Sequence, residues 1–434
     1  MNQGNAPKKN NQEVTMAQFK TNEIVHFLKY LTMVVMVMFC VGLTACLDLE
    51  EEDAVSSTAA NEDEPEAKDG IPRKDGMTGL FAEEITEFTK TDVYGAFANQ
   101  YSLMYEDFSY ENEDGGISTI PMPFPLIIAN KCNSSKESCD LKKVMVKSWI
   151  SGFTDTSKIT LMLDVNEDTI VSPSFSFDEN ALLALTSPKK VQRQTEVFTL
   201  ENGQKNLFYT NSTSVTIHPM QVFGQKEEAF YYSVDYLSKP EKINYWYSVF
   251  VTPEADSIAA MVGEVAKKLP NGKLLVYQQY PEDGSVQESL LRVVKAVFEV
   301  LQSRGIKYIE ETGSSSFGQR INYPVETLRK KQGICIETAV LFASILERLH
   351  FDVRIIAVPG HAFVGWMIEE GGNVIDLMET TMITDMNADF WDAYEEGIDE
   401  YNEQIRLGNF VTNLSSIVKI DSARAEGIIP NNIP

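Results

Sequence analysis

Basic residues are scarce in this chain. Lysine and arginine together number 37, against 63 aspartates and glutamates, and the formal net charge is −26. So acidic a protein is a poor candidate for binding the phosphate backbone of a nucleic acid or for adhering to anionic lipid through basic patches. We therefore expect no nucleic-acid partner, and we interpret the surplus of acid as a source of solubility and mutual repulsion.

The apolar run near the N-terminus is too short to span a membrane comfortably. It extends from Leu31 to Leu43 after Lys20 and Lys29, which is the pattern of a signal peptide. The run ends in Leu-Thr-Ala before Cys46, a sequence that resembles the lipobox at which bacterial lipoproteins are cleaved and acylated. The resemblance implies lipidation of Cys46 and a location in the bacterial cell envelope, at the outer membrane or the cell surface. The alternatives are a transmembrane anchor and a plain secretory signal.

Composition divides the chain into five parts. Residues 1–45 are the predicted signal peptide, and residues 46–78 are acidic and nearly free of aromatics, which predicts a disordered tether. Residues 79–143 have no assigned role. Residues 144–251 alternate β-branched and aromatic residues with polar turns, which predicts an antiparallel β-sandwich of short strands. Residues 252–434 form the last domain.

Cysteine is also scarce, and four of the five cysteines have an assignment that does not involve catalysis. Cys40 and Cys46 belong to the targeting segment, while Cys132 and Cys139 flank a short polar loop and are expected to form a disulfide in an oxidising compartment. Only Cys335 is left unpaired. A free thiol in an exported protein is a liability unless it is buried or used.

Helix signals open the last domain. Thr252, followed by Pro253 and Glu254, predicts a helix start, and Ser285 with Glu288 predicts a capping box at the start of a second helix. A third helix is predicted from Cys335, because apolar residues recur after it at the spacing of one buried helical face.

The segment that begins at Cys335 contains a cysteine, a histidine and two acids in an order that suits catalysis by a thiol. Gly333 precedes the predicted helix, whose positive N-terminal end stabilises a thiolate at Cys335. A β-branched strand and a Pro-Gly turn follow, and His361 begins the next strand. The strand after that carries Asp376 and Glu379. A thiol nucleophile, its base and an acid that orients the base would occur in this order.

The same segment resembles the transglutaminase-like superfamily, in particular its bacterial branch. The motifs that carry the resemblance are Pro324 to Leu328, Gly333 to Cys335, Pro359 to Trp366 and Glu379 to Thr381. It implies an α+β fold of papain-like type, in which the cysteine-bearing helix packs on an antiparallel sheet. Relatives often have aspartate immediately before the cysteine and two residues after it, where this chain has Ile334 and Glu337. Those departures weaken the inference about substrate more than the inference about catalysis.

Two site residues are left open by the sequence. The third member of the triad is Glu379 by motif, although spacing from the histidine also allows Asp376. Residues three apart on a regular strand point to opposite faces, so only one of the two is expected to reach His361. Gln319 is a candidate oxyanion donor, and a solvent-facing glutamine is the alternative.

The resemblance implies a membrane-anchored cysteine hydrolase that cleaves a peptide or amide bond through Cys335, His361 and an acid. The expected partners are a peptide or protein substrate and, through Cys46, a membrane. No metal and no cofactor are required for this chemistry. Two alternatives are a transferase that crosslinks glutamine to an amine and a catalytically idle scaffold that binds an envelope protein or glycan.

Overall fold

The computed structural model describes residues 79–86, 89–100, 108–111, 117–131, 140–223, 244–274, 276–277, 285–309, 318–431 and 433. These residues belong to one compact unit that spans 67–434. The predicted signal peptide, the tether with Cys46, and the predicted disulfide of Cys132 and Cys139 lie outside the described residues. Within the described ranges, no helix is long and apolar enough to cross a membrane.

Helices and strands contribute about equally, and the chain is α+β, as the sequence predicts. The strands of the first half are β1 (Gly79–Glu84), β2 (Asp92–Tyr94), β3 (Phe108–Glu111), β4 (Ile117–Ile120), β5 (Leu126–Lys131), β6 (Lys142–Ile150), β7 (Ser157–Leu163), β8 (Asp168–Val171), β9 (Lys189–Glu201), β10 (Gln204–His218) and β11 (Val222–Phe223). Helix α1 (Glu179–Leu183) and the 3-10 helix η1 (Gly95–Gln100) lie among them.

Two sheets of the first half share a small apolar core. One has the order β2-β10-β9-β6-β7 and the other the order β1-β5-β8. Leu126 and Ile128 of the smaller sheet pack with Val144 and Val197 of the larger one. A buried ion pair also joins the sheets, since Arg193 Nη2 of β9 lies 2.6 Å from a carboxylate oxygen at the end of β1. Strand pairing and apolar burial therefore both hold this region together.

The second half contains the remaining elements. They are the 3-10 helices η2 (Trp246–Phe250), η3 (Pro270–Gly272) and η4 (Thr380–Thr384), the helices α2 (Asp256–Lys268), α3 (Val286–Gln302), α4 (Pro324–Lys330), α5 (Cys335–Arg348), α6 (Phe390–Arg406) and α7 (Ile420–Ala425), and the strands β12 (Lys307–Tyr308), β13 (Gln319–Arg320), β14 (Gln332–Gly333), β15 (Val353–Val358), β16 (His361–Met367), β17 (Ile375–Met378) and β18 (Ser416–Lys419).

The predicted helix from Cys335 is confirmed, but it is more deeply buried than its pattern indicates. The sequence predicts one buried face, whereas every residue of α5 from Ile336 to Leu346 is buried. The reason is that α5 contacts β15 and β16 of the sheet and is also contacted by α2, α4 and η4. Its sheet is antiparallel with the order β17-β16-β15-β18. On the opposite face of this sheet, Phe363 and Leu377 pack with Ile398 and Tyr401 of α6.

The two helix starts predicted before α5 have different outcomes. The capping box is confirmed, because the Ser285 hydroxyl and the Glu288 carboxylate each accept the other's backbone N–H at the start of α3. The start at Thr252 is wrong, since α2 begins at Asp256. The Thr252 N–H is instead held by the Ser344 hydroxyl at 2.9 Å, which ties this segment to α5 before the helix begins.

Gly397 allows α6 to approach β17 closely. A Cβ at this position would lie 2.7 Å from the Cα of Met378 and 2.8 Å from that residue's backbone N and C. Alanine normally favours a helix over glycine, but here its methyl group would force the helix off the strand. We therefore expect Gly397→Ala to lower the free energy of unfolding by about 1–3 kcal/mol, measured by urea denaturation.

Gly263 of α2 supplies the matched control. It is exposed, and a Cβ built there meets nothing within 4 Å. Gly263→Ala should therefore raise the free energy of unfolding by about 0.5–1 kcal/mol through helix propensity alone. A stabilising effect of Gly397→Ala equal to that of Gly263→Ala would contradict the close approach of α6 to β17.

Candidate functional site

Cys335 is placed by the turn that precedes α5. It is the first residue of that helix, and its side chain is half-buried. The Glu337 carboxylate accepts the Ile334 N–H at 3.1 Å and the Asn322 N–H at 2.7 Å. A Cβ at Gly333 would lie 3.2 Å from this carboxylate, so the glycine leaves room for it. Glu337 therefore fixes the backbone on which Cys335 stands.

His361 is half-buried at the start of β16, after the turn that joins β15 to β16. Its Nε2 lies 2.6 Å from Oε2 of Glu379. The side chain of Cys335 is close enough to the ring to raise its pKa. Because Nε2 faces the carboxylate, Nδ1 is the ring nitrogen left to exchange a proton with the thiol. The imidazole thus lies between the sulfur and the acid, in the arrangement of a nucleophile, a base and an orienting group.

Glu379 is held rigidly. It lies one residue beyond β17 and caps η4, so the expectation that it belongs to the strand is wrong by one residue. Its Oε1 accepts the Thr381 N–H at 2.7 Å and the Thr381 hydroxyl at 2.5 Å, while Oε2 faces His361. The chain leaves the strand here because the carboxylate turns back onto the backbone of η4. Both carboxylate oxygens are consequently occupied, and the acid has a single orientation.

The electrostatics of the pair favour a charged imidazole. Burial lowers the pKa of His361, but hydrogen bonds to Cys335 and Glu379, together with the charge of the carboxylate, outweigh burial and raise this pKa to about 10. Burial has the opposite effect on the acid and raises the pKa of Glu379. The hydrogen bonds from His361 and Thr381 outweigh burial and bring this pKa below its ordinary value. At neutral pH, an imidazolium therefore faces a carboxylate on one side and the sulfur on the other.

Asp376 makes different contacts. It lies within β17, and its carboxylate accepts the Tyr394 hydroxyl at 2.8 Å and the Gln287 amide at 3.1 and 3.2 Å. Burial raises the pKa of Asp376, and these two hydrogen bonds counter only part of that effect. Of the two acids that the sequence leaves open, the structure brings Glu379 to His361 and directs Asp376 towards α3 and α6.

Gln319 lies on β13, where it pairs with Phe223 of β11 and is half-buried. Asn322, three residues further on, is bound through its N–H to the Glu337 carboxylate.

His218 is fully buried, lies 2.7 Å from Asp92 and stacks on an aromatic ring, as expected for a structural histidine. Within the described part of the chain, no group of three or more histidine, cysteine or acidic residues is arranged to hold a metal.

No protein-family model matches the chain, and no curated protein is significantly similar to it.

Sequence reasoning missed two residues that support the site. Thr381 orients Glu379, and the Glu-Thr-Thr motif contained that threonine without indicating its role. Glu337 departs from the family pattern, and both of its carboxylate oxygens accept backbone N–H groups. Its position three residues after Ile334 is that of the acid in a capping box, and this spacing is the signal that could have identified it.

Proposed function

We propose that this chain is a transglutaminase-like cysteine hydrolase that cleaves a peptide or amide bond. The observation that carries the proposal is the convergence of Cys335 and Glu379 on His361, with Nε2 of the imidazole 2.6 Å from the carboxylate and the Cys335 side chain near enough to raise the pKa of the ring. A thiol beside an imidazole that is itself held by a fixed acid suits covalent acyl transfer.

The first half of the proposed reaction forms a thioester. The Cys335 thiolate attacks the carbonyl carbon of the substrate, and the carbonyl oxygen becomes an oxyanion. The backbone N–H of Cys335 is a suitable donor to it, since N–H groups at the first position of a helix have no partner within the helix. His361 gives its Nδ1 proton to the leaving amine as the carbon–nitrogen bond breaks. Gln319 is the sequence-based candidate for a second donor to the oxyanion.

The second half consumes water. Neutral His361 takes a proton from a water molecule, and the hydroxide attacks the thioester carbonyl. The carbon–sulfur bond then breaks, the carboxylic acid leaves, and the thiolate and imidazolium are restored. Glu379 stays ionised throughout, orients the ring and stabilises its positive charge.

The proposal includes a two-part architecture and a membrane anchor. In it, residues 144–251 supply most of a β-sandwich-like domain, which strands β1, β2 and β5 complete, and residues 252–434 form a transglutaminase-like domain in which α5 packs on the four-stranded sheet. The Leu-Thr-Ala-Cys sequence supports acylation of Cys46, and the acidic tether would hold the enzyme away from the bilayer of a bacterial envelope. Such a location makes envelope peptides and proteins the proposed substrates.

Product analysis tests the reaction. Purified full-length protein, incubated with a mixture of peptides, should release new amino and carboxyl termini or free ammonia, detected by mass spectrometry. Cys335→Ala should release none, because the thioester cannot form without the sulfur. No product from the wild type, or equal product from Cys335→Ala, would contradict the proposal.

An added primary amine distinguishes hydrolysis from transfer. A hydrolase should form the carboxylic acid as its main product even when the amine is present. A crosslinking transferase should instead divert the acyl group to the amine and form an amide, which adds the mass of the amine to the peptide. Binding of envelope protein or glycan that survives Cys335→Ala, without any turnover, would favour the scaffold.

A further inference from the structure

A chain of two buried hydroxyl groups connects the segment that carries the nucleophile to the segment that carries the acid. The Thr338 hydroxyl donates to the backbone carbonyl of Cys335 at 2.8 Å. It also lies 3.1 Å from the hydroxyl of Thr380, the residue that directly follows Glu379. Both threonines are fully buried.

The direction of this chain follows from counting protons. A threonine hydroxyl has one proton to donate and two lone pairs with which to accept. Thr338 gives its proton to the Cys335 carbonyl, so Thr380 must be the donor in the bond between the two hydroxyls. The sequence of bonds therefore runs from Thr380 to Thr338 and on to Cys335, and no proton is left over.

The two ends of this hydrogen-bond chain lie beside the nucleophile and the acid of the proposed site. Cys335 begins α5, and Glu379 caps η4, so the three catalytic groups come from separate elements. His361 on β16 is bonded to Glu379, and the Cys335 side chain is near enough to raise the pKa of the ring. The thiol-to-imidazole contact thus depends on how closely the start of α5 is held to the start of η4.

We infer that the Thr338–Thr380 hydroxyl pair is a positioning device that holds the backbone of Cys335 at a set distance from the Glu379–His361 pair. The inference rests on the function proposed above, and it adds two residues to the machinery that touch no substrate. Neither hydroxyl can exchange its partner for water, because both are buried. The bond between α5 and η4 is consequently part of the site's preorganisation.

The direct readout of the positioning role is the effect that the Cys335 sulfur has on the pKa of His361. The pKa of His361 can be followed by NMR titration of protein labelled with ¹³C-histidine, with His361→Gln used for assignment. In the wild type, Cys335→Ala should lower this pKa, because it removes a neighbouring side chain that raises it. In a Thr338→Val background, the same replacement should lower the pKa by about half as much or less.

Activity supplies a second readout, because the variants are expected to lose kcat/KM in a fixed order. Thr338→Val removes both hydrogen bonds of the chain, whereas Thr380→Val removes only the one between α5 and η4. We expect kcat/KM to fall about tenfold for Thr338→Val, by less for Thr380→Val, and to recover in Thr338→Ser, which keeps the hydroxyl. The double valine variant should be no worse than Thr338→Val alone, because the effects of linked groups are not additive.

Ser344 provides the matched control. It is buried on the same helix, donates to the Val340 carbonyl at 2.7 Å and accepts the Thr252 N–H at 2.9 Å, but it does not connect to η4. Ser344→Ala should lower the melting temperature while leaving the sulfur-dependent part of the His361 pKa at its wild-type size. A merely structural role for Thr338 would make its variant behave like this control.

The outcomes separate this inference from the proposed function. A full wild-type effect of Cys335→Ala in the Thr338→Val and Thr380→Val backgrounds would overturn the positioning role, and so would the absence of any effect of Cys335→Ala in the wild type. If Thr338→Val fails to fold, the effect of Cys335→Ala in the Thr380→Val background alone tests the positioning role. Reduced coupling in a protein that hydrolyses nothing would leave the positioning role standing and would refute the proposed hydrolase.

Discussion

Replacing Glu379 with glutamine should reduce kcat/KM by about 10³–10⁴-fold and leave the melting temperature nearly unchanged. Glutamine has almost the same shape as glutamate and can still accept the Thr381 N–H, so the cap of η4 survives. The amide carries no charge, however, and it cannot stabilise the imidazolium of His361. The pKa of His361 should therefore fall, and the ring would no longer hold a proton ready for the leaving amine.

Asp376→Asn is the matched control for that variant, since it makes the same chemical change three residues earlier, on β17. Its side chain contacts Tyr394 and Gln287, so kcat/KM should stay within about twofold of the wild type. The reverse pattern of activities would transfer the orienting role to Asp376.

The change in stability that Asp376→Asn causes has a predictable sign. Burial raises the pKa of Asp376 above its unfolded value, so the folded protein loses stability as the pH rises through this raised pKa. Asparagine does not ionise and avoids that loss, which means that Asp376→Asn should be no less stable than the wild type at neutral pH. Thermal unfolding at pH 4 and pH 7 measures the difference.

Removing the imidazole should change how the reactivity of the Cys335 thiol depends on pH. An ordinary thiol is about 0.3% ionised at pH 6, whereas a sulfur that has given its proton to an imidazole is already a thiolate. In the proposed mechanism the proton of Cys335 resides on His361, so carboxymethylation of Cys335 by iodoacetamide should depend much less on pH in the wild type than for an ordinary thiol. In His361→Gln, the rate should be lower by on the order of 100-fold at pH 6 and should rise about tenfold per pH unit.

Mass spectrometry of the peptide that contains Cys335 isolates this thiol from the other cysteines of the chain. A small-molecule thiol alkylated in parallel supplies the slope expected for an unperturbed sulfur. If wild-type Cys335 follows that slope, the thiol is not activated, and the idle scaffold becomes the better account of the protein.

Local patterns were sufficient to predict the elements that carry the site. Hydrophobic spacing identified the helix from Cys335, and β-branched residues around a Pro-Gly turn identified the two strands that meet at His361. These signals are short-range: a helix start, a turn and an alternating strand each depend on neighbours within a few residues. The order of thiol, imidazole and acid along the chain could accordingly be read without any coordinates.

Only the tertiary structure decided which acid serves His361 and what holds the site together. Asp376 and Glu379 are three residues apart and chemically alike, and they differ in the surroundings that folding gives them: Asp376 faces α3 and α6, and Glu379 faces the imidazole. The Thr338–Thr380 contact joins positions 42 residues apart in the sequence, and no local pattern predicts such a pair. Sequence patterns therefore determined which elements form and in what order, whereas partners brought together by packing determined the geometry, because those contacts depend on where distant segments meet.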